Sequence, residues 1–535
     1  MKSTFNRTKL VAAMAVVLGA SGAATPALAV NLSDNGLGEL GMIPYYTVRN
    51  NIDTNISVVN TSRRYVVAFK IRFRESDNSR DARDFNVFLS PNDVWTATVT
   101  RRPVDDDPAN DVPVLVTGDQ SCTLPILAQQ PDFSDRRGIE FTEIAYDGSG
   151  RSAFPGDGGD TTIERAQEGH VEIIAMGVAD PNVSQLASWA VHGATQNCAD
   201  IQRVQEGLLP IATSGVCGGL PAGTEVTEDE AFQEEYCEPL NVLKVASNLI
   251  QVDKGVAGGL PVTMLANFFN PGIDGAEDPE FPGPADIYYD PGSERPDGRF
   301  AFPPVSAQIT EQGPVVASFF LTSGVSPGAD AVSSLFMATD VINEYAIGGA
   351  GLAQNAWVIT FPTKNFYVDS LYSSNPNPFQ EMFDGVSCVT VDFDYYDREE
   401  AAPTDLPPGG IFPSPRPIGE VIPEDSICQE VQTLNFGDFA LLGSGNNYQV
   451  PLAEGYTSGW MRLGFPNAGA IVSDEGDVFT GLPVMGFALK SLENGVAQEN
   501  LLNYGIVSEH AYRRVILDGE DGGEPEPEPE PEPVL

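Results

Sequence analysis

The sequence predicts a mainly β protein, two or three sandwich-like domains with long Gly/Pro/acid-rich loops, and three observations carry that prediction. Short runs of alternating apolar and polar residues recur along the chain. Between them 53 glycines and 42 prolines are dispersed as turn formers rather than gathered into one low-complexity block. A length of 535 residues exceeds what one hydrophobic core organises.

Residues 1–29 read as a secretory signal peptide. Lys2, Arg7 and Lys9 precede an apolar run from Leu10 to Ala20, too short to span a bilayer, and Ala27-Leu28-Ala29 supplies the small residues of a cleavage site. Residues 30–200 form an expected N-terminal β domain. Its clearest strand is 65–74, where Tyr65, Val67, Phe69, Ile71 and Phe73 share one face and Lys70, Arg72 and Arg74 the other. Further strands are expected at 56–60, 84–90, 94–99 and 170–177, with helical spacing at 183–190 after Pro181. A stapled connector follows at 201–239.

Residues 240–385 make a second β-rich region, with strands at 242–250, 262–269, 315–321 and 357–361 and a helix at 331–345. Residues 386–519 are a third β-rich domain or a continuation of the second, with strands at 387–395, 459–465 and 482–489. Residues 520–535 contain five Glu-Pro repeats, which favour an extended, charged tail. No later stretch holds the ~18 consecutive apolar residues of a membrane-crossing helix, so insertion by that route is not expected.

Six cysteines in an exported chain imply three disulfides, and their order favours Cys122 with Cys198, Cys217 with Cys237 and Cys388 with Cys428. No C-x-x-C pair is present, and His170, His192 and His510 are the only histidines, so a zinc site is disfavoured.

The chain carries 29 basic against 75 acidic residues, a formal charge of −46. Such a charge repels nucleic acid and favours divalent cations. Calcium is the expected ion. Its candidate ligands are Asp105, Asp106 and Asp107, Asp157 and Asp160, and Asp474 and Asp477, with further acidic clusters at Asp274, Glu277 and Asp278 and at Asp392 and Asp394. Each places several hard oxygens in a short turn, and none has the EF-hand spacing.

Against this acidity stands a basic island that includes Arg63, Arg64, Lys70, Arg72 and Arg74. Two readings stay open: internal pairing with Glu75, Asp77, Asp81 and Asp84, or a cationic patch. The patch would meet the acidic surface of another copy or the phosphates of a surface glycolipid.

Catalytic motifs are absent. The chain has no G-x-S-x-G elbow, no H-E-x-x-H, no C-x-x-C-H and no Walker loop, so an enzyme is not expected. A glycosidase needs only two facing carboxylates, which sequence cannot single out among 75 acids.

The segments Pro44-Tyr-Tyr-Thr-Val48, Phe69-Lys-Ile-Arg-Phe-Arg74, Asp84-Phe-Asn-Val-Phe-Leu-Ser-Pro91 with Trp95, Thr360-Phe-Pro-Thr-Lys364, Gly459-Trp-Met-Arg462 and Gly481-Leu-Pro-Val484 resemble a group of exported, largely uncharacterised Gram-negative bacterial proteins. Size, acidity and export also resemble surface-layer proteins of marine Gram-negative bacteria, from which the six cysteines set this chain apart. The resemblance implies a secreted structural protein that self-assembles at the cell surface or in the extracellular matrix, with calcium bridging acidic loops. The alternative expectation is a secreted polysaccharide-binding or glycoside-hydrolysing protein, for which Tyr45, Tyr46, Tyr288 and Tyr289 are candidate ligand-stacking rings.

Overall fold

A computed structural model describes residues 29–270, 287–309, 315–322, 326–348, 353–402, 425–497 and 500–517. The expected signal peptide (bar Ala29), the Glu-Pro tail and Asp274, Glu277 and Asp278 lie outside the described residues. The mainly β expectation holds: strand outweighs helix, 44% to 12%. Among the described residues no helix is long and apolar enough to cross a membrane.

Two seven-stranded sheets dominate the N-terminal half. The first, the central sheet, runs in the order Asn31–Leu32, Thr263–Ala266, Leu40–Thr47, Glu168–Ala179, Val66–Glu75, Asp81–Leu89 and Cys122–Leu124. The second, the outer sheet, runs Val256–Leu260, Leu243–Gln251, Asp53–Asn60, Val94–Arg102, Val112–Thr117, Arg136–Glu140 and Ala128–Gln130.

Alternation decides how they meet. Val67, Phe69, Ile71 and Phe73 of the central sheet face Ile56, Val58, Trp95, Ala97 and Val99 of the outer one, and together they form one apolar core. Trp95 is fully buried there, edge-on to Phe69 and Phe85.

The strand Leu243–Gln251 pairs along its length with Asp53–Asn60, and Thr263–Ala266 pairs with Leu40–Thr47. The sandwich therefore extends past the division expected at 240, because these two strands are paired on both sides within its sheets and bury side chains in its cores.

The C-terminal half is built around a five-stranded sheet, Asn447–Val450, Val431–Phe436, Ala353–Thr360, Met485–Ala497 and Asn500–Glu509, and a four-stranded one, Asp392–Asp397, Ser458–Gly464, Asp340–Ala346 and Ala511–Arg513. Strands of the second and third expected regions thus interleave in both sheets. A second core joins Leu40, Met42, Ala68, Phe88, Ile174 and Met176, on the far face of the central sheet, to Trp357, Ile359, Phe361 and Leu463 of this half. The central sheet is consequently covered on both faces.

The helix expected at 331–345 is corrected. A helix occupies Pro327–Ser334, with Pro327 in its first turn, and the chain then turns into the strand Asp340–Ala346. That strand gains a full ladder against Ser458–Gly464, and this outweighs local helical spacing.

The three disulfides pair as the cysteine order implies, with Cα–Cα distances of 5.2 Å for Cys122–Cys198, 4.8 Å for Cys217–Cys237 and 3.9 Å for Cys388–Cys428. Cys388 and Cys428 sit directly opposite each other in a two-stranded ladder.

Candidate functional site: a buried ionic seam

The basic face of Val66–Glu75 is the most unusual chemistry in the fold. Period-two alternation places Lys70, Arg72 and Arg74 on the side away from the sandwich core, yet these side chains are at most 1% exposed. Residues 290–297 lie over them, so what sequence offered as a cationic surface patch is interior.

Every cation in the seam is met by oxygen. Lys70 Nζ lies 2.9 Å from Asp84 Oδ2 and donates to the carbonyls of Asp290, Ser293 and Arg295 at 2.6, 3.2 and 2.8 Å. Arg72 Nε lies 3.2 Å from Asp81 Oδ2, and its Nη1 donates to the carbonyls of Glu294 and Pro296, both at 2.9 Å. Arg74 donates from Nε to Glu172 Oε2 at 3.1 Å and from Nη1 to the Ser79 carbonyl at 3.1 Å.

The seam continues through the turn after Glu75. Arg165 is fork-on-fork with Glu75, at 2.5 and 2.8 Å, and with Asp157, at 2.9 and 2.5 Å, while its guanidinium carbon lies 4.5 Å from the Tyr146 ring centroid. Glu75 also accepts backbone N–H bonds from Asp77, Asn78 and Arg80 at 2.7, 3.0 and 2.8 Å. Arg80 in turn grips Asp369 at 2.5 and 3.1 Å. Asp369 and the backbone of 290–297 belong to the later half of the chain, so the seam fastens that half to the sandwich.

Burial governs titration here. It pushes the Asp81 carboxyl up, reinforced by Asp84 and opposed by Arg72. Burial likewise raises Glu39 to about 8, although its carboxylate accepts the Phe269 N–H at 2.9 Å. It lowers His170 to about 3, with the Arg74 charge adding to the effect, and neither ring nitrogen of His170 has a hydrogen-bond partner. His510 is also lowered to about 3, by burial. Its Nε2 donates to the Val358 carbonyl at 3.2 Å, and its Nδ1 accepts from Asn343 at 2.9 Å. His192 stands at the surface, 3.8 Å from Asp93.

Of the expected assembly residues, then, Lys70, Arg72 and Arg74 are corrected to internal partners. Arg63 is exposed, and Arg64 reaches Asp180 at 2.9 Å. The seam's own signal was the set of acids on neighbouring strands, Asp81, Asp84 and Glu172; simple alternation would put Asp81 and Asp84 on opposite faces, and a bulge between them sets Asp84 opposite Arg72 and Asp81 opposite Arg74. The covering loop, 290–297, carried no periodic signal.

The calcium candidates are scattered. Asp157 is held by Arg165 and Asn78, and Asp477 is buried and accepts the Ser318 hydroxyl at 2.7 Å. Asp160 caps its own turn at Thr162, and Asp474 accepts from Thr322. Asp392 and Asp394 bind Arg462. Asp105, Asp106 and Asp107 remain exposed on one loop. Among the described residues, no group of three His, Cys, Asp or Glu side chains is arranged to hold a metal ion, and the three carboxylates that do converge, Asp340, Asp392 and Asp394, surround Arg462.

The candidate stacking rings are mostly interior. Tyr45 donates to Glu168 Oε2 at 2.7 Å, Tyr46 donates to the Ala166 carbonyl at 3.0 Å, and Tyr288 stacks on Phe232 with centroids 4.4 Å apart. All three are buried. An aromatic pair that sequence reasoning missed does reach solvent: Tyr396 and Trp460, neighbours across adjacent strands, stack at 4.7 Å, with Trp460 43% exposed.

Comparisons with protein-family models, with curated proteins and with solved structures return no match.

Proposed function

We propose that this is a secreted structural protein that assembles at the cell surface or in the extracellular matrix, with calcium bridging the acidic loops of neighbouring copies. The observation that carries this reading is the inward turn of the basic stripe. With Lys70, Arg72 and Arg74 matched internally, the described residues of a chain of net charge −46 do not present this basic stripe as a face on which an acidic copy would dock directly. Like-charged copies then need a cation between them. The absence of an acidic cage arranged to hold a metal ion among the described residues favours ligands shared between molecules, and the exposed Asp105, Asp106 and Asp107 loop is the first candidate. Three disulfides and the buried seam suit a protein that must persist outside the cell.

Light scattering and negative-stain microscopy on the mature chain test this. Calcium should produce sheets or large particles that chelator disperses.

A second reading, polysaccharide binding, is favoured by the exposed Tyr396–Trp460 stack, which lies in one row with the Glu344 carboxylate across the strands. Glycan-array binding lost in Trp460→Ala would support it, and an array without hits would retire it.

A further inference from the structure

A cleft of about 350 Å³ opens between the sandwich and the C-terminal sheets, and its walls include Thr263, Glu509, His510, Tyr512 and Arg514. Arg514 is its distinctive feature. The side chain is half-buried, and its Nη1 donates to the carbonyl of Leu335, which caps the C-terminus of the Pro327–Ser334 helix. Among the described residues no carboxylate lies within ion-pair distance of its guanidinium, whereas the adjacent Arg513 reaches Asp340 at 3.7 Å.

The helix end offers only about half a negative charge. A part-buried guanidinium with no full counter-charge is a favourable place for an anionic group to join. The bond to Leu335 fixes one arm of the planar fork. The donors left over are not among the fully buried unpaired atoms of the described residues, and Arg514 is one of the residues lining the cleft. A carboxylate fits such a fork with two parallel hydrogen bonds.

The neighbours narrow the ligand further. His510 adds no charge, because both its nitrogens are engaged and burial keeps it neutral. Tyr512 supplies a half-buried ring whose centroid is 5.9 Å from the guanidinium carbon, and Thr263 and the exposed Glu509 supply a hydroxyl and a carboxylate that pair with sugar hydroxyls. The volume suits one sugar ring and is near the lower end of ligand sites. The charge of −46 weighs against polyanions, since each added negative group beyond the fork meets repulsion that salt screens only beyond about 8 Å.

We propose that this cleft binds a sugar-sized molecule bearing a single carboxylate, a hexuronate unit, with the carboxylate on Arg514 and hydroxyls on Thr263 and Glu509. The site shares no residue with the Asp105, Asp106 and Asp107 loop proposed for assembly, so its failure would leave the assembly reading untouched.

The test is calorimetric titration of the disulfide-intact mature chain with glucuronate, galacturonate, glucose, glucose 6-sulfate and acetate. Saturable binding of a uronate is expected, with glucose weaker by about ten- to hundredfold, as for loss of a charge-assisted hydrogen bond. Arg514→Gln should lose uronate binding to the same degree, and Arg514→Lys should retain part of it. Thr263→Val should weaken a uronate but not acetate, a readout that a merely misfolded variant would not give. Equal binding of glucose and glucuronate, tighter binding of the sulfate than of either uronate, unchanged affinity in folded Arg514→Gln, or no saturable uronate binding up to about 10 mM would each overturn the proposal.

Discussion

Replacing Arg165 by Met tests whether the seam is a dry ionic network that stabilises the fold. The guanidinium is fully buried and holds two carboxylates, Glu75 and Asp157, whose side chains are 0% and 2% exposed. Removing it leaves both anions in the interior. They keep other donors, three backbone N–H groups for Glu75 and the Asn78 amide for Asp157, so neither is stripped entirely. Breaking one partner out of a buried ion pair costs about 3–5 kcal/mol, and Met retains the stem volume, so no large cavity adds to that figure. For a cooperative unit of 150–250 residues, each kcal/mol moves Tm by about 2–4 °C, giving a fall of roughly 6–20 °C. Thermal and urea melts followed by circular dichroism, with disulfides intact, measure it. A double-mutant cycle with Glu75→Gln isolates the pair, and the double variant should recover part of the loss because one uncompensated charge is gone. A loss below about 1 kcal/mol, the level of an exposed ion pair, would refute the idea that this network is dry.

Three further predictions rest on single features. Glu39, raised to about 8 by burial, prefers its protonated form when folded. Its penalty is absent below the unfolded value near 4.5, grows as pH rises, and is complete above about 8. Glu39→Gln should therefore raise Tm clearly at pH 9 and little at pH 4.5, and equal effects at both would contradict the assignment. A Cβ at Gly169 would run into the carbonyl of Arg74 on the paired strand, so Gly169→Ala should destabilise by about 1–3 kcal/mol in urea melts, whereas the exposed Gly118, with open space around its Cβ position, should tolerate the change better. Cys388→Ser with Cys428→Ser removes a link closing a 40-residue separation and should cost about 2–4 kcal/mol; alkylation and intact mass of the parent chain should find no free thiol.

Some of this was legible in the sequence, and particular residues show why. Alternation at 65–74 placed Val67, Phe69, Ile71 and Phe73 in the sandwich core correctly, because a period of two is dictated by backbone geometry. The same alternation put Lys70, Arg72 and Arg74 on the opposite face, but it carries no information on what covers that face. A central strand whose second face is roofed by a loop more than 200 residues later reads the same as an edge facing water. The disulfides were readable because each cysteine pairs with its neighbour in sequence order. The strand Asp340–Ala346 was read as helix because its ladder partner, Ser458–Gly464, lies over 100 residues away and local spacing cannot report it. The Tyr396–Trp460 stack and the Arg514 cleft depend on the same long-range pairings, and neither had a local signature.

Sedimentation velocity on the purified mature chain, titrated with calcium at constant ionic strength and then with chelator, tests the central proposal most directly. Reversible conversion to large assemblies is predicted with calcium but not with matched sodium, and the Asp105→Asn, Asp106→Asn, Asp107→Asn variant should need more calcium for the same conversion. A chain that stays monomeric throughout the titration would contradict assembly through cation-bridged acidic loops.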